Sequence, residues 1–186
     1  MRIISGILKG RSIDFLKNNE TRPLKDAVRE NIFNILMHSN LIEVKIKNSY
    51  ILDLYSGSGS FGIECISRGA KKATFVEKDI VATNILKENL IKLKSTNNSV
   101  IFNNKIENTL LNDINEEFNI FFLDPPFKDC EYLKILELIK KKKIFKKKHV
   151  VIIHRESKSL EKFENLLKII DTKRYGRSKI IFGKFN

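Results

Sequence analysis

The stretch Ile51-Leu52-Asp53-Leu54-Tyr55-Ser56-Gly57-Ser58-Gly59-Ser60-Phe61-Gly62 constrains this chain more than any other. An apolar run ends in an acidic residue, a loop of glycine and serine follows, and a helical pattern begins. A strand that breaks into a glycine turn ahead of a helix gathers several backbone N–H groups at one point, with almost no side chain in the way. That is a place to hold a small polar ligand.

Downstream, strand and helix patterns alternate. Residues 50–54 read as a first strand, 61–68 as a helix closed by Gly69, and 73–77 as a second strand, while Ala82, Ile85, Leu86, Leu90 and Leu93 mark the next helix. Residues 100–102 make a third strand, with a short helix over 107–114. Residues 118–123 are too uniformly apolar for a half-exposed strand, so they belong at the centre of a sheet. A helix over 132–142, a strand over 150–153, a helix over 160–167 and strands over 169–175 and 179–185 complete the pattern. Gly176-Arg177-Ser178 is too short for a crossover, so the last two strands are antiparallel. The alternation as a whole predicts a mainly parallel α/β sheet covered on both faces. Ahead of it, residues 2–13, broken by Gly6 and Gly10, read as a small β-hairpin or meander. Thr21-Arg22-Pro23 reads as the entry to an amphipathic helix over 24–38, with Val28, Ile32, Ile35 and Leu36 on its apolar side and Arg22, Lys25 and Arg29 along or beside its polar side.

At 186 residues the chain suits one well-packed domain, residues 1–186. Its charge is uneven: Lys+Arg 35 against Asp+Glu 22 gives +13 and a pI near 9.7. Such an excess points to a polyanionic partner, nucleic acid first. A Lys-, Ile- and Asn-rich chain encoded by an AT-rich genome would also accumulate surface lysine. Lys140 to Lys143 complement the C-terminal dipole of their own helix, and Lys146 to Lys148 carry no assigned role. Cys65 and Cys130 stand in unrelated contexts, so neither a disulfide scaffold nor a metal site is expected, and a reducing cytoplasm fits. No apolar run approaches a membrane span, and residues 1–11 have no signal-peptide core.

Gly57-Ser58-Gly59-Ser60-Phe61-Gly62 formally matches a dinucleotide loop, with Glu77 about 20 residues on. Asp53 opposes that reading, because a carboxylate beside the loop repels a pyrophosphate and suits an ammonium or sulfonium group. Glu77 is placed to accept both hydroxyls of a ribose, which every nucleoside ligand carries. The deciding motif is Asp124-Pro125-Pro126-Phe127 after the central strand. Ligands of open α/β sheets sit outside the carboxyl ends of the strands at the switch point. Two prolines remove two backbone donors and leave carbonyls and a carboxylate as acceptors. Acceptors converging beside an aromatic ring suit an exocyclic amino group on a planar base.

These residues resemble class I S-adenosylmethionine-dependent methyltransferases that act on amino groups of bases. The likeness extends through Arg2-Ile3-Ile4-Ser5-Gly6, Lys9-Gly10-Arg11, Thr21-Arg22-Pro23, Val28-Arg29-Glu30, Phe33-Asn34-Ile35-Leu36, Leu52 to Gly59, Ser67-Arg68-Gly69-Ala70 and Phe75-Val76-Glu77-Lys78-Asp79, which are similar to the RsmD family. That family methylates the N2 amine of a guanine in small-subunit (16S) ribosomal RNA. The resemblance implies a Rossmann-like class I sheet with its last strand antiparallel, and a short N-terminal hairpin-and-helix extension over residues 1–40 that contacts RNA. It further implies S-adenosylmethionine held by Asp53, Tyr55, Ser56, Gly57, Gly59, Glu77 and Lys78; catalysis by Asp124, Pro125 and Phe127; and RNA contacts by Arg2, Lys9, Arg11, Arg22 and Arg29. No metal is implied. The partner is ribosomal RNA or a partly assembled small subunit, met by a monomer in the cytoplasm.

One departure stands out. Where the family offers Asp or Asn followed by Ala to the adenine, this chain has Lys105-Ile106, and Asn103, Asn104, Glu107 or a backbone N–H are the substitutes. The rival readings are an N6-adenine methyltransferase, a non-catalytic RNA-binding protein on the same fold and, more distantly, a dinucleotide oxidoreductase. His38, His149 and His154 form no catalytic pattern and read as structural.

Overall fold

The computed structural model describes residues 1–16, 24, 26–160 and 162–186. In chain order its elements are α1 (Asp26–His38), β1 (Tyr50–Leu54), α2 (Ser60–Ser67), β2 (Lys72–Val76), α3 (Ile80–Lys92), β3 (Ser99–Phe102), α4 (Ile106–Asn112), β4 (Phe118–Leu123), α5 (Tyr132–Lys142), β5 (Phe145–Glu156), β6 (Leu167–Tyr175) and β7 (Ser178–Phe185). The strands form one sheet in the order β3-β2-β1-β4-β5-β7-β6. β3 to β5 pair in parallel, while β7 runs antiparallel to both β5 and β6. The seven-stranded class I sheet is therefore as expected.

Alternation along the central strands sends successive side chains to opposite faces. Ile51, Phe75, Ile120, Phe122, Val150 and Ile152 join a core with α1, α2 and α3. Leu52, Leu54, Phe121, Leu123, Val151 and Ile153 join a second core with α4 and α5. On the first face Phe61 of α2 lies between Phe33 of α1 and Phe122 of β4, with ring centroids 5.2 and 4.1 Å away. That packing fixes where α2, and with it the glycine loop, meets the sheet.

Two expectations are corrected. The described residues of 160–166 are a turn and irregular backbone rather than a helix, and Leu167 already opens β6. Leu160 is 98% exposed while Phe163 and Leu167 are buried. The helical spacing of these residues reflects two anchors on a short connection that passes β7 to reach the sheet edge, where no helix face is needed. The N-terminal segment is a loop closed by one antiparallel bridge, Arg2 with Ser12, rather than a hairpin of strands. Lys140, Lys141 and Lys142 stand in the last turn of α5, as expected, and Lys142 Nζ also donates to the carbonyls of Leu110, Leu111 and Ile114 and so caps the neighbouring α4. The helix entry at Thr21-Arg22-Pro23 lies outside the described residues.

Candidate active site

The sheet register builds the site. Leu54 pairs with Val76 and Leu123, Val76 with Phe102, and Leu123 with Ile153. One residue further on, Asn103, Glu77, Tyr55, Asp124 and His154 follow in a row across the carboxyl ends of five parallel strands. The row is centred where β1 and β4 separate, which is the switch point of the sheet.

On the β1 side, Asp53 is 1% exposed, and its Oδ2 accepts the N–H of Gly62 at 2.9 Å. Burial raises its pKa well above the ordinary carboxylate range; the Gly62 N–H opposes the rise, and Asp124 and Glu77 add to it. Glu77 bridges two loops, accepting from Gly57 N at 2.8 Å and from Asp79 N at 2.9 Å. Asp79 in turn caps α3 through the N–H groups of Val81 and Ala82. Gly59 must be glycine: its φ is +81°, and an added Cβ would stand 2.3 Å from Leu86 Cδ1. Above Gly57 nothing lies within 4 Å of such a Cβ, so the loop opens toward a ligand there.

Among the described residues no lysine or arginine pairs with Asp53 or Glu77. A buried carboxylate with two acidic neighbours and no cation fits a ligand carrying sulfonium and ammonium groups, and it disfavours a pyrophosphate. The residues present thus fit S-adenosylmethionine. Tyr55 and Ser56 continue this loop, Tyr55 with φ +59° and its hydroxyl beside Asp129, and the Ser56 N–H on the Val76 carbonyl. Lys78 is exposed, and its carbonyl, like that of Glu77, accepts from Asn103 Nδ2. The Asn103 amide is thereby engaged in holding the acidic tip of β2, and Asn104 Oδ1 accepts the N–H of Lys105.

On the β4 side, Asp124 Oδ1 lies 2.7 Å from His154 Nδ1, and His154 Nε2 lies 2.9 Å from Ser178 Oγ. A carboxylate only accepts, so Nδ1 carries a proton, and Nε2 shares the second hydrogen bond with the Ser178 hydroxyl. Buried Arg155 donates to the carbonyls of Pro126 at 3.0 Å and Phe127 at 2.8 Å, and its guanidinium sits 4.6 Å from the centroid of the Tyr132 ring. Among the described residues no donor is bonded to the Pro125 carbonyl or to Asp124 Oδ2. Phe127 is 38% exposed and meets His154 edge-on, with centroids 5.4 Å apart. The motif is therefore a clamped loop with two acceptors and one ring face left over.

Two side chains that the sequence pattern does not single out meet this turn: Arg155 holds its carbonyls, and His154, which reads as structural, touches the central carboxylate. The pairing of β5 beside β4 is the signal that finds both residues, because the residue after Ile153 must then stand next to Asp124.

The N-terminal segment reaches this site by its backbone. Glu64, buried in α2, accepts from the N–H groups of Ile4 at 2.8 Å and Ser5 at 3.0 Å. Asn89 of α3 joins Asp14 to the Ser58 carbonyl in the glycine loop. Arg2, Lys9 and Arg11 are exposed, and Arg22 lies outside the described residues. Arg29 is corrected: it is fully buried, pairs with Asp26 at 3.0 Å and donates to the Arg2 carbonyl, so it is a structural link and not an RNA contact.

Comparison with known proteins agrees with this geometry. The family described as Conserved hypothetical protein 95 matches residues 1–184. A relative from Buchnera aphidicola subsp. Baizongia pistaciae, named Ribosomal RNA small subunit methyltransferase D, is 37% identical over 157 residues, covering 84% of this chain and 76% of its own. The protein of that name from Escherichia coli K12 is 36% identical over 128 residues, or 69% and 61% of the two chains. Among solved structures, yhhF from Escherichia coli superposes with a TM-score of 0.81 at 27% identity, covering 100% of this chain and 98% of that one. HI0767 from Haemophilus influenzae gives 0.78 at 31% with the same coverage. Together with a donor set that suits a sulfonium ligand, these matches establish that the chain belongs to the RsmD family and is an S-adenosylmethionine-dependent methyltransferase of the class I fold.

Proposed function

We propose that this enzyme methylates the exocyclic N2 amine of a guanine in small-subunit ribosomal RNA, acting as a monomer in the cytoplasm on the RNA or on a partly assembled subunit. The observation that carries the reading is the clamped Asp124-Pro125-Pro126-Phe127 loop. It presents Asp124 Oδ2 and the Pro125 carbonyl beside an open ring face, opposite a buried acidic pocket.

When bound, S-adenosylmethionine supplies an electrophilic methyl group on a sulfonium. Asp53, the 56–59 loop and Glu77 are the residues that hold it. Guanine N2 is a poor nucleophile because its lone pair is delocalised into the ring. Asp124 Oδ2 and the Pro125 carbonyl accept its two hydrogens, which orients the amine and draws it toward a tetrahedral shape, while Phe127 stacks the base. The His154 Nδ1–H supports the Asp124 carboxylate at Oδ1 and keeps Oδ2 turned to the amine, and the proton released on alkylation goes to Oδ2, which leaves the carboxyl neutral. His154 is thus a positioning residue, oriented in turn by Ser178. An amine approached edge-on requires an unpaired or flipped nucleotide.

The test is incubation of the purified protein with labelled S-adenosylmethionine and unmodified small-subunit RNA, free and in partly assembled particles. Nucleoside mass spectrometry should find N2-methylguanosine. Label recovered as N6-methyladenosine would sink the guanine assignment.

A further inference from the structure

The opposite end of the sheet carries a different chemistry. Two hollows of about 260 and 330 Å³ adjoin there and share Glu43 and Lys148. Lys45 and Lys47 line one of them, and Lys147, Lys168 and Lys184 line the other, while Glu43 is the only carboxylate on either wall. These positions lie before β1, near the start of β5 and β6, and at the end of antiparallel β7, so all of them gather at the pole away from Asp124. Strands of about five residues at roughly 3.3 Å each set the two poles some 17 Å apart.

Some surface lysines are neutralised by a carboxylate: Lys72, at the start of β2, by Glu116, and Lys92, Lys134 and Lys173 at other places. Among the described residues none of the six lining lysines has such a partner, and all six are exposed. Lys71 and Lys146 add charge close by, held over the Tyr50 ring with Nζ 5.2 and 3.9 Å from its centroid. Lys168 and Lys184 face each other across the β6–β7 pair, which fixes their spacing, while Lys147 and Lys148 lie on β5 where its register with β4 shifts. The Asn119 side chain ties the β1 and β5 backbones together beneath them. Lysine scattered by codon bias would be spread over the surface and mixed with carboxylates. Six exposed lysines around two adjoining hollows that share one carboxylate, Glu43, suit a phosphate backbone.

We infer that this pole is a second RNA-docking surface, gripping the backbone of a segment other than the one that presents the target base. The inference rests on the RNA-methyltransferase reading and sharpens it: the substrate is a folded RNA large enough to touch both poles of the sheet. Free RNA segments much shorter than that bind through the catalytic pole alone.

The test is the triple substitution Lys147→Gln, Lys148→Gln and Lys168→Gln, with unchanged thermal unfolding and S-adenosylmethionine affinity as the folding control. Binding to transcribed small-subunit RNA and to a short hairpin from it is followed across a salt series. For the full RNA the slope of log K against log salt should flatten by roughly 2–3, at 0.7–0.9 per lost phosphate contact, and KM should rise about tenfold or more with kcat little changed. Hairpin binding should not move. Equal loss on both RNAs, or no change on either, overturns the second surface. A loss seen only with particles that carry ribosomal proteins overturns it in favour of an acidic protein partner. If the unaltered enzyme methylates no RNA, the underlying reading fails instead.

Discussion

The two ends of one sheet have opposite characters. At the carboxyl ends of the strands, Asp53, Glu77 and Asp124 converge, each anchored by an N–H donor. At the amino ends, six exposed lysines surround two hollows that share one carboxylate, Glu43. The overall charge of +13 therefore says little about the catalytic pocket, which is locally acidic. An acidic pocket draws a cationic cofactor and accepts from an amine, but it repels a phosphate backbone, so the backbone of a long RNA has to be gripped outside the pocket. The separation lets one small sheet meet both requirements.

Substitutions at four positions probe that contrast, in order of expected effect. Asp124→Ala should lower kcat on the order of 10³-fold, since it removes a group engaged at the reacting amine, with S-adenosylmethionine affinity unchanged by titration calorimetry. Turnover near the original value would remove Asp124 from the mechanism.

Asp53→Asn should weaken S-adenosylmethionine binding by roughly 10²-fold, as expected for losing a desolvated charge partner. The same change should raise the melting temperature of the ligand-free protein, because ionised Asp53 is buried without a cation. The pH dependence follows with its sign. A carboxyl whose pKa is higher in the folded state binds more protons there than in the unfolded chain. Its contribution to stability is present at low pH and is lost as pH rises through the raised folded value. Ligand-free enzyme should lose melting temperature over that rise, Asp53→Asn should show a flatter profile, and saturating cofactor should offset the loss in the native enzyme. A profile that Asp53→Asn leaves unaltered would contradict the buried-charge account.

His154→Leu should reduce kcat by about tenfold, with little effect on KM for the cofactor, whereas His154→Asn should recover part of the loss. An asparagine amide can still donate to Asp124 Oδ1, although it gives up Ser178. Equal kcat for the two variants would leave His154 with packing alone. The smallest effect concerns the N-terminal segment: Arg11→Gln should weaken RNA binding only about two- to fivefold and reduce the salt slope by slightly under one.

Local pattern carried much of this fold. The span of β4 and that of α5 were legible residue for residue, since an unbroken apolar run and a helical stripe each leave a single assignment. The segment over 160–167 misled because spacing alone does not distinguish a helix face from two anchors on a turn. Arg29 misled for a related reason. Its charge reads as solvent-facing, but the N-terminal loop lays the Arg2 carbonyl over α1, and a buried acceptor needs a donor.

The sequence by itself determined the glycine loop, the acidic tips of β1 and β2, the Asp-Pro-Pro-Phe turn and hence the class of reaction, because each depends on backbone chemistry written in consecutive residues. Only the tertiary structure decided that His154 and Ser178 orient Asp124, that Arg155 clamps the turn, and that lysines from β5, β6 and β7 meet at the far pole. Those groups are brought together by strand order and register, which are set by how seven strands share two cores and not by any one stretch of the chain.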